Sequence, residues 1–395
     1  MFGPQSAQLL RQAPQASAEG LRIALFSGNY NYTRDGANKA LNRLVGHLLD
    51  RGAAVRVYSP TSPRPAFAPT GDLVSVPSLA IPGRAEFRAA LGLPRRVAND
   101  VRAFAPNLIH VSAPDWLGTG AQQLGRELGI PIVASMHTRF ETYFEYYGLR
   151  RLRGWAVKRQ RDFYCASDRI LVPNQPSAGH LVAMGVPYDR LGIWSRGVEH
   201  ELFNPARRDL GWRQSNGFAD DDIVLLFFGR IVREKGTACF TETVDELRRR
   251  GVAVRPLIVG DGPARREMEA RIGEALFLGH LDGADLGRAV ASADILLNPS
   301  LTEAFGNVNL EAMSAGLSIV SADVGSAAAL ITNGANGYLT NPDPGTFADA
   351  IERLVGKPAI RKRLGQQAAK TAGSYRWADV LDDVINSYWH LLLRL

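Results

Sequence analysis

The chain has 395 residues, of which 46% are hydrophobic and 22% are charged, a composition typical of a soluble globular protein large enough for two domains. The net charge of +7 is unevenly distributed, because residues 1–200 carry 24 Lys and Arg against 14 Asp and Glu, whereas residues 201–395 carry 22 against 25. No apolar run approaches the roughly 20 residues that span a bilayer, and residues 1–20 lack the basic and apolar regions of a signal peptide. The sequence therefore argues against a membrane-spanning or secreted protein.

Short apolar runs alternate with amphipathic helical stretches after an N-terminal tail (residues 1–20) that we expect to be mobile. The first series of predicted strands covers residues 22–27, 54–59, 73–76, 107–112, 131–137, 169–174 and 192–196. The second series covers residues 223–229, 254–260, 275–279, 294–299, 317–322 and 337–340. Helices are predicted between the strands, among others at residues 36–51, 121–128, 236–250 and 307–315. Runs that are apolar throughout, such as residues 223–228, are typical of parallel strands buried on both faces.

This alternation predicts an α/β protein with two doubly wound, Rossmann-like domains that face each other across a cleft. Pro, Gly, Asn and Asp are concentrated between residues 203 and 222, and a new series of strands begins after them. We therefore expect an N-terminal domain over residues 21–200, a linker over 201–222, a C-terminal domain over 223–375 and a closing helix over 376–395. Ligands of such sheets bind at the carboxyl ends of the strands, so the cleft is the expected site.

One turn of the second half carries two cations close to a helix start. Gly229 and Arg230 end a predicted strand, and Lys235 and Gly236 open the helix that follows. A helix N-terminus presents free N–H groups and the positive end of the helix dipole to an anion. Two cations in the same loop suit a diphosphate that departs as a leaving group.

Two further turns of the second half have related features. The Gly260-Asp261-Gly262 turn lets the backbone approach a ligand, although many strand-to-helix turns share this pattern. Glu303 lies in a loop after a strand, Gly306 and Asn307 begin the next helix, and Glu311 lies about two turns further along. One carboxylate can meet sugar hydroxyls and the other ribose hydroxyls, with phosphate at the amides between them.

In this order the motifs resemble the signature of the family-4 retaining glycosyltransferases of the GT-B fold, and the resemblance extends from about Leu21 to Leu395. It implies a nucleotide-sugar donor in the cleft and usually no catalytic metal, so no cofactor is expected. It also implies that Arg230 and Lys235 hold the donor diphosphate. By the same resemblance Glu311 binds the ribose, Glu303 binds the sugar hydroxyls, and the amides of residues 305–308 bind phosphate and sugar.

Two loops of the first half complete the expected site. In the family the loop after the first strand brings glycine next to the donor phosphate and the acceptor; relatives often have two glycines where this chain has Asp35 and Gly36. His137 ends another strand, at the position where the family has a histidine beside the donor sugar, and we expect it to contact a sugar hydroxyl. The expected catalytic residues are His137, Arg230, Lys235 and Glu303. The expected donor-binding residues are Gly36, Gly229, Arg230, Lys235, Gly260, Asp261, Gly262, Phe305, Gly306, Asn307, Val308 and Glu311.

No pair of residues has the pattern of a nucleophile and its base. The resemblance implies that the leaving diphosphate helps to deprotonate the acceptor hydroxyl on the same face of the sugar. The protein then contributes position and charge stabilisation.

The segment 140–161 is the most unusual part of the first half. Five aromatic residues between Phe140 and Tyr147 precede six basic residues, and no acidic one, between Gly148 and Arg161. This combination favours a helix at an anionic membrane surface. Single-stranded nucleic acid, which no motif supports, and core aromatics beside a solvated basic face are the alternatives. The residues expected at the acceptor or the membrane are Asp35, Arg139, Tyr146, Tyr147, Arg150, Arg151, Arg153, Trp155, Lys158 and Arg159.

The same segment and residues 193–199 resemble the glycolipid-synthesising branch of the family. We therefore expect a cytoplasmic enzyme, peripheral on the inner face of the cell membrane, that transfers a hexose or hexuronate from a UDP-sugar or GDP-mannose to a membrane lipid. A soluble or polysaccharide-precursor acceptor is the first alternative. A nucleotide-sugar epimerase and a non-catalytic membrane scaffold are more distant ones. Cys165 and Cys239 lack metal-ligand spacing and fit a reduced compartment.

Overall fold

The computed structural model describes residues 16–32, 36–81, 84–137 and 153–394, with the backbone alone for residues 81, 84–87 and 153. The strands of the first half are β1 (Arg22–Phe26), β2 (Ala54–Ser59), β3 (Asp72–Ser75), β4 (Leu79–Ile81), β5 (Arg84–Ala89), β6 (Leu108–Val111), β7 (Ile132–Ser135), β8 (Arg169–Val172) and β9 (Leu191–Ile193). Its helices are α1 (Gly36–Asp50), α2 (Arg95–Phe104), α3 (Trp116–Leu128), α4 (Arg153–Cys165) and α5 (Gln175–Ala183). Seven of the strands form a parallel sheet in the order β3-β2-β1-β6-β7-β8-β9.

The second half repeats this architecture. Its strands are β10 (Val224–Phe228), β11 (Arg255–Val259), β12 (Leu276–Gly279), β13 (Ile295–Asn298), β14 (Ser318–Ala322) and β15 (Tyr338–Thr340). Its helices are α6 (Leu210–Ser215), α7 (Thr237–Arg249), α8 (Arg265–Ile272), α9 (Gly283–Ala291), α10 (Asn307–Ser314), α11 (Gly325–Ala328), α12 (Pro344–Gly356), α13 (Pro358–Ala372) and α14 (Trp377–Leu392). The six strands are parallel in the order β12-β11-β10-β13-β14-β15, so the predicted α/β class with two doubly wound sheets is confirmed.

The strands of both sheets overlap the predicted ones, because the central strands are apolar runs that are buried on both faces; all five residues of β10 are buried. The outer strands β3, β12 and β15 are less buried. The helix predicted at residues 121–128 begins earlier, at Trp116. The reason is a side-chain cap: the carboxylate of Asp115 accepts a hydrogen bond from the Gly118 amide at 2.6 Å.

An antiparallel hairpin formed by β4 and β5 was not predicted. It is held to the loop after β1 by Tyr32, whose hydroxyl donates to the carbonyl of Gly28 at 2.8 Å and lies 3.3 Å from the carbonyl of Arg88. The hairpin therefore lies beside the first strand-to-helix loop, at the carboxyl edge of the first sheet.

Helix α14 returns from the second half and packs on the first. Its residues Val380, Leu381, Val384, Ile385 and Tyr388 lie on one helix face and are buried in the hydrophobic cluster that contains β1 and α1. The end of the predicted tail joins this contact, since Ala18 is buried and the carbonyl of Ser17 accepts a hydrogen bond from the Trp389 indole at 2.8 Å. The packing of the first half thus includes residues 17 and 18, which belong to the predicted tail.

The segment predicted as a linker between the halves is folded. It contains α6 and packs on the second sheet through Phe203 and Phe218. Arg213 of α6 is fully buried and binds Asp294 at 3.1 Å. In the described ranges no helix has the length and apolar character needed to cross a bilayer.

Candidate active site

A cavity of about 940 Å³ lies where the carboxyl ends of the two sheets face each other. From the first half it is lined by the residues that follow β1, β6, β7 and β9 and by the beginning of α1. From the second half it is lined by the loops that follow β10, β11, β12 and β13. The predicted residues that line it are Gly36, His137, Gly229, Arg230, Lys235, Gly260, Asp261, Glu303, Phe305, Gly306, Asn307, Val308 and Glu311.

The loops after β10 and β11 pack against each other so closely that only glycine fits between them. A Cβ atom on Gly260 would lie 1.9 Å from the carbonyl oxygen of Gly229, and one on Gly262 would lie 2.3 Å from that of Ile231. Both glycines also have positive φ, at +140° and +158°. Gly260 lines the cavity. Gly262 does not, and its close contact with Ile231 shows that glycine is needed there for packing between the two loops.

Arg230 and Lys235 differ in their surroundings. The ammonium of Lys235 donates to Oε1 of Glu303 at 2.5 Å, which joins the loop after β10 to the loop after β13. Arg230 is exposed on the cavity wall, and its guanidinium has no hydrogen-bond or ion-pair partner among the described residues. Of these two cations, Lys235 is neutralised by a carboxylate and Arg230 is free to bind an anion.

The start of α10 presents backbone amides to the cavity. Gly306 adopts the left-handed conformation at φ +91°, and no side chain caps the helix. Gly36 at the start of α1 faces this helix start, and a Cβ on Gly36 would lie 2.4 Å from the side-chain nitrogen of Asn307. Two helix N-termini, one from each half, thus meet at the cavity, where the positive ends of their dipoles favour an anion.

Glu311 lies on α10 and faces α1. Burial raises the pKa of its carboxyl to about 7; Glu303 acts in the same direction, and Lys39 and Arg43 oppose it. Arg43 also forms an ion pair with Glu199 and stacks 4.9 Å from the ring of Trp377. With a pKa of about 7, the carboxyl of Glu311 is partly protonated at neutral pH, so it can donate as well as accept hydrogen bonds.

His137 belongs to a buried chain of hydrogen bonds. Nη2 of Arg196 donates to Nδ1 of His137 at 2.7 Å, and Nε2 of His137 lies 2.8 Å from the hydroxyl of Ser135. That hydroxyl lies 2.8 Å from Nε2 of His110, whose Nδ1 lies 2.6 Å from the hydroxyl of Tyr388 on α14.

The chain of hydrogen bonds determines the protonation of His137. Burial and the charge of Arg196 hold the pKa of His137 well below its usual value, so the ring is neutral. Because a guanidinium only donates, Nδ1 of His137 accepts and its Nε2 carries the proton that is donated to Ser135. Both ring nitrogens are thus engaged within the protein, and a sugar hydroxyl would meet the carbon edge of the ring or the backbone.

In the described ranges, no three or more His, Cys, Asp or Glu side chains are grouped so as to hold a metal ion.

The comparisons with known proteins agree with this architecture. Residues 34–202 match the family described as Glycosyltransferase Family 4, and residues 222–357 match the one described as Glycosyl transferases group 1. Over 384 residues the chain is 30% identical to a GDP-mannose-dependent alpha-mannosyltransferase of Mycolicibacterium smegmatis, which covers 95% of this chain and 98% of that protein. The chain belongs to the family-4 glycosyltransferases.

Two further comparisons extend this assignment. The glycosyltransferase is 29% identical over 393 residues to the sulfoquinovosyl transferase SQD2 of Arabidopsis thaliana, which covers 95% of this chain and 75% of that one. It resembles the structure of sucrose-phosphate synthase from Thermosynechococcus elongatus with a TM-score of 0.75 at 20% identity, over 95% of this chain and 100% of that one. The GT-B fold predicted from the motifs is confirmed, and the enzyme is a glycosyltransferase that uses a nucleotide-sugar donor.

Much of the predicted acceptor region of this glycosyltransferase lies outside the described residues, namely Asp35, Arg139, Tyr146, Tyr147, Arg150 and Arg151. Arg153 begins α4. Further along this helix, Trp155 is 60% exposed, Lys158 is exposed, and the guanidinium of Arg159 lies 6.0 Å from the Trp155 ring. These three residues do not line the cavity but form an outer face of the first half.

Several residues at the site of the glycosyltransferase were not predicted. Lys39 and Arg43 of α1, Arg196 and Glu199 after β9, and Trp377 at the start of α14 all line the cavity. Arg196 and Glu199 lie in the segment 193–199, which resembles the glycolipid-synthesising branch, so this segment contained a signal. The position of Trp377 depends on the return of α14 and has no local signal in the sequence.

Proposed function

We propose that this enzyme transfers a hexose or hexuronate, with retention of the anomeric configuration, from GDP-mannose or a UDP-sugar to a lipid acceptor at a membrane surface. The observation that carries the proposal is the arrangement of charge in the cavity. Two helix N-termini, the free guanidinium of Arg230 and the Lys235–Glu303 pair face one space between the sheets.

The second half binds the donor in this proposal. Arg230 and Lys235 contact the diphosphate together with the amides at the start of α10. Glu303 accepts hydrogen bonds from the sugar hydroxyls, and Glu311 binds the ribose. The 2.5 Å contact between Lys235 and Glu303 then links the leaving group to the sugar, because one ion pair touches both sides of the bond that breaks.

The reaction needs few protein groups. The bond between the anomeric carbon and the phosphate oxygen breaks, and the acceptor oxygen bonds to the same carbon on the same face of the ring. The acceptor proton passes to an oxygen of the departing phosphate. Arg230 and Lys235 stabilise the negative charge that develops on the diphosphate, and removal of one such contact typically costs about 10²–10³ in rate.

Retention and the donor are supported by a relative. The Mycolicibacterium protein is named as an alpha-mannosyltransferase that depends on GDP-mannose, and GDP-mannose is itself an α-linked donor. An α product from an α donor is retention. GDP-mannose is accordingly the first donor to test, followed by UDP-sugars.

The membrane acceptor is supported by the outer face of α4. An exposed Trp155 beside Lys158 and Arg159 combines an interfacial aromatic residue with cations that attract anionic lipids. The first half is basic and the second half is nearly neutral, so an anionic bilayer attracts the first half, which is the acceptor side in this proposal.

The test is a donor screen with purified enzyme, GDP-mannose, UDP-glucose, UDP-galactose and UDP-glucuronate. Each donor is combined with vesicles that contain diacylglycerol, phosphatidylinositol or phosphatidylglycerol, and the lipids are analysed by mass spectrometry and by NMR of the anomeric centre. Lys235→Met is the variant expected to lose most of the activity, and Lys362→Met, which changes an exposed lysine on α13, is its matched control.

The proposal predicts one lipid that gains one hexose or hexuronate in the anomeric form of the donor. An inverted product would refute retention. Donor hydrolysis or transfer to a soluble sugar, with all lipids unchanged, would replace the lipid acceptor by a soluble one. Isomerisation of the donor sugar without any acceptor would establish an epimerase.

A further inference from the structure

One buried cation of the cavity wall has no counter-anion among the described residues. Arg196 follows β9, lines the cavity and is only 4% exposed. Its Nη1 donates to the carbonyls of Trp194 and Ser195 at 3.0 and 3.1 Å, and its Nη2 donates to Nδ1 of His137 at 2.7 Å. No carboxylate among the described residues forms an ion pair with it, so its charge is offset by dipoles and by the Trp194 ring at 5.1 Å.

The other cations of the cavity are in a different position. Lys235 is paired with Glu303 and Arg43 with Glu199. Arg230 and Lys39 are exposed to water. Burial lowers the pKa of Arg196 to about 10, which reflects the cost of a desolvated cation without an anion. A buried charge without a counter-ion is strongly destabilising. An arginine that is buried without an anion at a binding cavity therefore suits a ligand that brings the anion.

The guanidinium has free donors for such a partner. A guanidinium has five N–H groups, and the three hydrogen bonds to Trp194, Ser195 and His137 leave Nε–H and one N–H of Nη2 without a partner among the described residues. Both donors belong to the planar fork of one guanidinium, which can bind the oxygens of an oxyanion.

His137 positions this fork. Its Nδ1 accepts from Arg196 and its Nε2 donates to Ser135, so the imidazole is held in one neutral form and cannot rotate without breaking both bonds. The Trp194 ring lies 5.0 Å from the His137 ring and limits movement from the other side. The guanidinium is therefore pre-organised before the substrate binds.

The location separates Arg196 from the groups that face the diphosphate. Arg230, Lys235 and the start of α10 belong to the second half, whereas His137 and Arg196 follow β7 and β9 of the first sheet. We propose that Arg196 binds an anionic oxygen group, a phosphate or a carboxylate, that is carried by the acceptor or by the transferred sugar and is distinct from the donor diphosphate. This inference deepens the function proposed above and rests on it.

The first experiment measures binding without turnover. Inorganic phosphate is titrated into the enzyme saturated with GDP or UDP, in wild type, Arg196→Met, Arg196→Lys and the exposed control Arg126→Met, after circular dichroism has shown that each variant is folded. Wild type and Arg126→Met should bind phosphate, and Arg196→Met should bind it about 10–100-fold more weakly, the usual effect of losing a charged hydrogen-bond donor. Arg196→Lys should retain part of the affinity. Equal phosphate affinity in all four proteins would overturn the proposal, and so would the loss of GDP or UDP binding in Arg196→Met, because Arg196 would then serve the diphosphate.

The second experiment finds the source of the anion by comparing pairs of substrates that differ in charge. A loss of about 10–100-fold in kcat/KM for Arg196→Met with phosphatidylinositol, but not with diacylglycerol, supports an anion on the acceptor. The same loss with UDP-glucuronate, but not with UDP-glucose, supports an anion on the sugar. An equal loss with charged and neutral substrates overturns the proposal in favour of a purely structural role. If wild type transfers no sugar at all, the proposed function fails while the phosphate titration still decides the role of Arg196.

Discussion

The change Glu311→Gln tests whether burial against α1 controls the charge of this carboxyl. Glu311 has a pKa raised from 4.5 to about 7, first by burial and also by Glu303, against the opposing charges of Lys39 and Arg43. Since the folded-state pKa exceeds the unfolded one, the folded protein holds a proton between about pH 4.5 and 7 that the unfolded chain has released. The free energy of unfolding of wild type should therefore fall as the pH rises through this range and stay constant above it.

The magnitude follows from the size of the pKa displacement. At full burial it corresponds to about 3 kcal/mol. Glu311 lines a cavity that water enters, so we expect roughly 1–2 kcal/mol. Gln has nearly the same shape and no charge. Glu311→Gln should therefore match wild type in its free energy of unfolding near pH 5 and exceed it by about 1–2 kcal/mol near pH 8.5.

The assay is urea unfolding followed by tryptophan fluorescence across this pH range, with the exposed Glu201→Gln as the matched control. The control should show no pH-dependent difference from wild type. If the difference between Glu311→Gln and wild type were the same near pH 5 and near pH 8.5, the carboxyl would not change its charge on folding and the reasoning would be wrong. In the donor assay the same variant should lose at least about tenfold in kcat/KM, because the proposed contact with ribose loses its charge-assisted acceptor.

Three further changes test other parts of the structure. Lys235→Met should lower kcat by about 10²–10³ in steady-state kinetics, because the diphosphate loses a cation and Glu303 loses its partner; unchanged kcat would rule out the leaving-group role. Gly260→Ala should lower the free energy of unfolding by about 2–4 kcal/mol in urea, since its Cβ would lie 1.9 Å from the Gly229 carbonyl, whereas Gly251→Ala, with positive φ but open space, should cost only about 1 kcal/mol. Tyr388→Phe should cost about 1 kcal/mol, seen as a lower Tm, because it removes one buried hydrogen bond between α14 and the first sheet; an unchanged Tm would show that this bond adds nothing to stability.

The sequence by itself determined the elements and the motif loops of the second half. Buried parallel strands are local apolar runs, so β10 and its neighbours could be recognised without knowing what covers them. Arg230, Lys235, Glu303 and Glu311 follow strands of one parallel sheet, and the carboxyl ends of such strands meet at one edge. The order of the motifs was therefore enough to predict that these residues share a site.

Only the tertiary structure decided which groups of the first half surround the motif loops of the second half. The hairpin of β4 and β5 has no strong local pattern, and it contacts Tyr32 of the loop after β1. The raised pKa of Glu311 depends on its burial beside α1. The neutral form of His137 depends on its burial and on the charge of Arg196, 59 residues away. The chain of hydrogen bonds that ends at Tyr388 joins groups 278 residues apart. These properties arise from burial and from hydrogen bonds between residues that are distant in the sequence. Neither burial nor such contacts can be recognised in a local stretch of sequence.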